Sequence, residues 1–426
     1  MTGISDEAYM AELLKNRNFA LLWTAVLVSG IGDVLYTVGI MVTIFERSGS
    51  ALQAAGVMAA TLLPIFLLSP VAGAIIDRHS CRRVMVMADL VRATLVSLLL
   101  VFTWSGPLNL WLVYLVVAGL GAMTAFYTPA RLAILPAVVN RDQLAKANGI
   151  MSGTVQGTQA FGYILGGFLV VWVSLRALVL LDLLTFLASA VLISAIHLGV
   201  TERERRTQQA PDVSLWQSVK DGARYLRHHE LARTLVTMEW LEHVPHGVWT
   251  SALMLVFVEQ ALNAEPQVWG LQNGAFYTGV MLGAVLATAV SGIIMRWPGR
   301  IIIINAFLMG LLTIVYVQTA SVTVTIVISI MYGPTFALRD VAQNTLLQTS
   351  VDEDKLGRVY SLREMGWNVV FLLSGLAYAA LVDLGVPVRA VYMLAAVGYL
   401  LTAVYALSSR ALRRSRIGAV VVIGNP

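Results

Sequence analysis

Apolar residues run along this chain in long blocks, and short charged stretches cut between them. A helix needs roughly 20 apolar residues to cross the hydrocarbon of a bilayer. Twelve blocks of about that length are present, at residues 19–45, 52–76, 84–104, 110–128, 149–172, 176–197, 232–258, 268–294, 300–318, 322–338, 359–381 and 388–408. Lipid supplies no water to an open backbone, so such blocks must close their hydrogen bonds internally, as helices. The pattern predicts an all-α membrane protein with twelve transmembrane helices. An even number of spans puts both termini on one side.

Composition agrees with this reading. Apolar residues make up 58% of the chain and charged residues 12%, about half the charge usual in soluble domains. The formal net charge of +5 does not point to nucleic acid, because the basic residues sit in short connections between spans. With the N-terminus in the cytoplasm, 25 of the 29 Lys and Arg fall on the cytoplasmic side. Arg47, Arg176 and Arg389 fall outside, and Arg92 lies within span 3. This asymmetry is what the positive-inside rule requires. Residues 1–18 are polar and read as the flank of a retained signal anchor, with no cleavable signal peptide. The single cysteine, Cys81, excludes an intrachain disulfide. A nucleotide-binding G-x-x-x-x-G-K-S/T motif, a Ser/His/Asp triad and a phosphate-binding Gly loop are all absent from the sequence. Transport without ATP hydrolysis in this chain is therefore expected, rather than catalysis, and no cofactor.

The chain repeats itself. Tyr127-Thr-Pro129 recurs as Tyr332-Gly-Pro334, at an offset of 205, and Asp142-Gln-Leu144-Ala-Lys146 recurs as Asp354-Lys-Leu356-Gly-Arg358, at an offset of 212. Both motifs fall between the fourth and fifth spans of a half. The expected organisation is a six-helix bundle over 1–197, a cytoplasmic linker over 198–231, a second six-helix bundle over 232–410 and a tail over 411–426. In the linker, Ser214 is placed to cap a helix carrying Trp216, Val219, Ala223 and Leu226 on one stripe, expected at the cytoplasmic membrane surface.

Ionisable residues inside spans are costly and so point to function. Asp33, in Gly30-Ile-Gly32-Asp33 of span 1, is a candidate for proton carriage or for binding a cationic group; a packed or capping carboxylate is the alternative. In span 7, Glu239, Glu242, His243 and His246 fall at i, i+3, i+4 and i+7, on one helical face beside Pro245. Three roles fit that stripe: proton coupling or substrate binding, a structural polar seam, or a divalent-metal site built on His243, His246 and Glu242. Asp89 and Arg92, one turn apart in span 3, are expected to pair with each other. Asp182 in span 6 is expected near the outer surface, held by Arg176.

The run Gly73-Ala-Ile-Ile-Asp77-Arg78-His79-Ser80-Cys81-Arg82-Arg83 lies between spans 2 and 3. It resembles the G-x-L-x-D-R-x-G-R-R loop of the major facilitator superfamily. Gly73, Asp77, Arg78 and Arg82 match, Ser80 and Cys81 replace the usual residues, and Arg83 stands in for the second basic position. Span 5 carries Gly162-Tyr163-Ile-Leu-Gly166-Gly167, which is similar to the G-x-x-x-G-P-x-x-G-G segment of the antiporter branch, with Tyr163 in place of Pro. Further likeness, in Asn16–Trp23, Gly73–Asp89, Asp221–Arg227 and Leu356–Ser361, is to the macrolide-efflux and siderophore-exporter branch.

The resemblance implies two pseudo-symmetric six-helix bundles and alternating access. It also implies a bacterial inner-membrane antiporter that exports a small amphiphilic organic molecule in exchange for protons, as a monomer. Span 1 would line the central cavity, with Tyr36, Tyr127, Trp249, Tyr332 and Phe336 among its walls. The Asp77 loop would act as a conformational gate, its Arg78, Arg82 and Arg83 meeting Glu364 at the start of span 11. Gly162, Gly166 and Gly167 would serve helix packing. Two other readings stay open: a divalent-metal or other ion transporter using the span 7 stripe, and a non-transporting membrane scaffold, against which the intramembrane acids argue.

Overall fold

A computed structural model describes residues 13, 15–105, 109–140, 143–197 and 215–415. Those residues are almost wholly helical. In chain order the helices are α1 (Arg17–Ser48), α2 (Ala51–Arg78), α3 (Cys81–Ser105), α4 (Leu110–Val138), α5 (Leu144–Trp172), α6 (Leu175–Ser194), α7 (Leu215–His228), α8 (Glu230–His246), α9 (Ser251–Ala261), α10 (Pro266–Ala289), α11 (Ser291–Arg296), α12 (Pro298–Gln318), α13 (Val322–Ser350), α14 (Glu353–Asp383), α15 (Val388–Ser408) and α16 (Arg410–Arg414). Among the described residues, nine helices are individually long and apolar enough to cross a membrane. The other three of the twelve spans are α5, α10 and the pair α8–α9. Each is made more polar by side chains such as Gln156, Gln272, Asn273 and Glu239. The large apolar side chains left exposed, Leu67, Phe102, Leu115, Phe161, Val285 and Leu373 among them, form a lipid-facing surface. Trp111 and Trp172, both 82% exposed, mark one end of α4 and the adjoining end of α5. Interfacial Trp is typical there.

The chain divides into two compact units: Met1–Arg47 with Gly56–Asp212, and Ser48–Ala55 with Val213–Pro426. The segment Ser48–Ala55 thus groups with the second unit, not with the half in which it lies in sequence.

The same packing recurs inside each unit. In unit 1, α3 packs on α6, α5 meets α1, and α4 meets α2. In unit 2, α12 packs on α15, α14 on α8, and α13 on α10. Small residues make the close approaches. A Cβ on Gly162 of α5 would lie 2.8 Å from the Val34 side chain of α1, and one on Gly166 would lie 3.0 Å from Val38. Gly167 is buried. Gly333 of α13 lies directly on the Gly279–Val280 backbone of α10, where any side chain would collide. Without a hydrophobic force between helices in lipid, this close packing holds such bundles together.

Two expectations change, and two packing features go beyond what the pattern addresses. α4 and α13 do not end near Tyr127 and Tyr332. They run through Pro129 and Pro334, which sit inside the helices, to Val138 and Ser350. Span 7 is not one helix: α8 ends beside Pro245, a 3-10 turn covers Gly247–Trp249, and Thr250 caps α9. Pro lacks the N–H that would continue the ladder. The exposed polar backbone is satisfied by side chains: Ser374 donates to the His243 carbonyl at 3.2 Å and Tyr392 to the Val248 carbonyl at 2.7 Å. Third, α7 packs onto unit 2. Leu226 is buried in the unit 2 core, Gly222 packs on the Arg358 backbone, and Asp221 pairs with Arg358 at 3.0 Å. The side chains of Trp216 and Val219, and Ser214 itself, lie outside the described residues. Finally, Cys81 opens α3 and is fully buried in the unit 1 core.

Candidate functional site

Each unit carries ionisable side chains in its interior. In unit 2 they come from α8, α13 and α14. Arg363 of α14 grips both carboxylate oxygens of Glu239, donating through Nη2 at 2.8 Å and through Nε. Gln343 of α13 adds a donor to Glu239 at 2.9 Å. Arg363 also donates to Asn344 at 2.7 Å and lies 3.6 Å from Asp340. One turn along α8, Glu242 faces Arg339 at 3.2 Å, both side chains 2% exposed. That contact is an ion pair without hydrogen-bond geometry, and both Glu242 oxygens lack a hydrogen-bond partner.

The histidines of the stripe turn towards aromatic rings. The Nδ1 of His243 meets the Glu239 carbonyl at 2.7 Å. A carbonyl only accepts, so Nδ1 carries the hydrogen, and in the neutral ring Nε2 is the acceptor. The His243 ring lies 4.9 Å from Trp367 and 5.6 Å from His246. His246 bonds the buried Tyr399 hydroxyl through Nδ1 at 2.8 Å and stacks on Phe336 at 6.1 Å. Trp367 donates to Glu364 at 2.7 Å. Together Glu239, His243, His246, Phe336, Arg339, Asp340, Arg363, Glu364, Trp367 and Phe371 line a pocket of about 210 Å³. It offers aromatic walls, acidic groups in excess over basic ones, and fixed donors and acceptors. Such a lining suits a small molecule with an apolar body and a polar or cationic group.

The four residues of the span 7 stripe are thus together: Glu239, His243 and His246 on the pocket, and Glu242 buried behind it against Arg339. Their partners were not visible in the sequence. Arg339 falls just beyond the expected end of span 10 and Arg363 within the expected span 11, and both are buried within helices. The one available signal was the cluster Arg339-Asp340-Val-Ala-Gln343-Asn344, which reads equally as the end of a span. Among the described residues, no three His, Cys, Asp or Glu side chains come together to hold a metal ion.

Of the aromatic residues expected on a cavity wall, Phe336 lines this pocket. Trp249 and Tyr332 instead pack on each other at 4.7 Å, within a cluster that includes Tyr316, Tyr392 and Phe257. Tyr36 and Tyr127 are buried in unit 1.

In unit 1, Asp33 is half-buried on α1, with no hydrogen bond or ion pair to its carboxylate among the described residues. Asp89 and Arg92 pair at 3.5 Å, and Ser189 donates to Asp89 at 2.7 Å. Asp182 is not held by Arg176 near the surface. It is fully buried on α6, against Gly32, while Arg176 is exposed. At the expected gate, Arg82 donates to the Ile196 carbonyl at 2.6 Å, Arg83 is exposed, and Glu364 accepts from Trp367. The surroundings of Gly73 and the side chains of Asp77 and Arg78 lie outside the described residues.

A family model described as Major Facilitator Superfamily matches residues 22–370. The MFS-type transporter YjbB of Bacillus subtilis is 26% identical, over 93% of this chain and 96% of that protein. Macrolide efflux protein A of Streptococcus pyogenes is also 26% identical, over 81% of this chain and 84% of that one. The solved structure of the nucleoside transporter NupG has the same fold, with a TM-score of 0.73 at 11% identity, covering 92% of this chain and 99% of that one. A bacterial homologue of the iron transporter ferroportin, in an inward-facing state, gives a TM-score of 0.66 at 17% identity, over 92% and 98%.

Proposed function

As this chain belongs to the Major Facilitator Superfamily, we propose that it exports small amphiphilic organic molecules from the bacterial cytoplasm in exchange for protons. It works as a monomer by alternating access, with both termini cytoplasmic. The observation that carries this reading is the unit 2 pocket. Phe336, Trp367 and Phe371 present aromatic surface beside Asp340 and Glu364, while the paired Glu239 and Arg363 hold the wall in place. That combination attracts a ligand with an apolar body and a cationic or hydrogen-bonding head. Likeness to a macrolide efflux protein supports export of an organic molecule. Proton coupling is supported by Asp33, a carboxylate inside a membrane bundle without a fixed partner among the described residues.

The test is transport by purified protein in proteoliposomes with an imposed pH gradient, assayed with erythromycin, ethidium and Mn²⁺. Gradient-dependent movement of erythromycin or ethidium is expected. Movement of Mn²⁺ alone would replace this reading with ion transport through the span 7 stripe.

A further inference from the structure

Among the described residues, the interior of unit 1 carries the carboxyls of Asp33, Asp89 and Asp182 beside the guanidinium of Arg92. The base is fully engaged. Arg92 pairs with Asp89, donates to Thr124 at 3.0 Å, and lies over the rings of Tyr127 at 4.6 Å and Phe186 at 5.5 Å. Asp33 and Asp182 have no base of their own among the described residues.

Asp182 is 0% exposed. Its Oδ1 lies 2.8 Å from where a Cβ on Gly32 would sit, so the carboxyl rests against the backbone next to Asp33. Thr185 gives that carboxyl one hydrogen bond, at 3.4 Å, and Oδ2 has none. Tyr36, one turn along α1 from Asp33, is also buried, and its hydroxyl has no partner. Two buried oxygens in this part of unit 1, Asp182 Oδ2 and the Tyr36 hydroxyl, therefore lack a hydrogen-bond partner.

An unpaired carboxylate removed from water is costly enough that the group takes up a proton instead. Two neighbouring carboxyls without a base compound the effect, because like charges favour a single shared proton. We propose that Asp33 and Asp182 share the exchanged proton, with half-buried Asp33 as the entry and Asp182 as its dry seat. On loading, an O–H bond breaks at Asp33 and one forms at Asp182; release reverses the step. The inference rests on the proton-coupled reading above and assigns its chemistry to a residue pair rather than to Asp33 alone.

Asp182→Asn keeps the shape of the side chain and the Thr185 contact but cannot carry a proton. Infrared difference spectra of the purified full-length protein read the C=O stretch of protonated carboxylic acids and need no substrate. The wild type should show such a band at neutral pH, and Asp182→Asn should lose or shift it. A band that persists unchanged in Asp182→Asn overturns the proposal. In proteoliposomes, Asp182→Asn should let erythromycin only equilibrate under a pH gradient while retaining counterflow exchange, and Asp182→Glu should restore part of the accumulation. Wild-type accumulation in Asp182→Asn, or loss of counterflow in both variants, also overturns it. A wild-type band together with transport that ignores the gradient would defeat proton coupling, while leaving the protonated Asp182 in place.

Discussion

Removing the guanidinium of Arg363 should be among the most damaging single changes in unit 2. Its side chain is 5% exposed and that of Glu239 4%. Arg363→Ala leaves the Glu239 carboxylate with one side-chain donor, Gln343 at 2.9 Å, and with no cation hydrogen-bonded to it. Breaking a buried pair by removing one partner costs about 3–5 kcal/mol, most of it from the stranded charge. In a micelle the denatured chain also finds partners, which pulls the expected value towards the lower end, about 3 kcal/mol. Replacing both partners should cost less, because no stranded charge remains: the double variant Arg363→Met, Glu239→Met should be more stable than Arg363→Ala by about 2 kcal/mol. Equilibrium unfolding in SDS, read by tryptophan fluorescence, gives all the required values. A double variant no more stable than Arg363→Ala would refute the argument, since the cost would then come from lost packing rather than from an orphaned carboxylate.

Three further outcomes are expected. Asp33→Asn should abolish pH-driven accumulation while leaving substrate exchange intact; unchanged accumulation would remove Asp33 from coupling. Phe336→Ala and Trp367→Ala should each weaken erythromycin binding measured by tryptophan quenching or calorimetry, and wild-type affinity in both would move the substrate out of this pocket. Gly162→Leu should destabilise the protein by about 1–3 kcal/mol through overpacking against Val34. Gly153→Leu, which meets open space, should be near neutral in the same unfolding assay.

Much of the fold could be read from the chain, because lipid makes each span's rule local: enough apolar residues, and basic residues at one end. The repeated Tyr-x-Pro motif carried the two-half organisation, and the recurrent packing of spans 3 on 6 and 9 on 12 agrees with it. The helix ends were misread for a physical reason. Pro129 and Pro334 look like terminators, yet a membrane helix tolerates Pro when neighbours satisfy the freed backbone. That error had a second consequence. Ending span 10 near residue 338 turned Arg339, Gln343 and Asn344 into loop residues, so the partners of Glu239 and Glu242 were hidden. Asp182 was misplaced in a similar way, since hydropathy gives the depth of a residue only roughly and says nothing of which neighbouring helix it faces. Periodicity did find the span 7 stripe, because that depends on one helix alone.

The burial of Cys81 makes the native chain a ready background for site-directed chemistry. Its only thiol is sealed in the unit 1 core, so a cysteine introduced on either unit would be the one group a maleimide meets while the protein stays folded. Spin labels or fluorophores could then be installed without first deleting a native residue. The same thiol becomes reactive only when unit 1 opens up. A thiol-reactive dye on the unmodified protein would therefore time the unfolding of that unit alone.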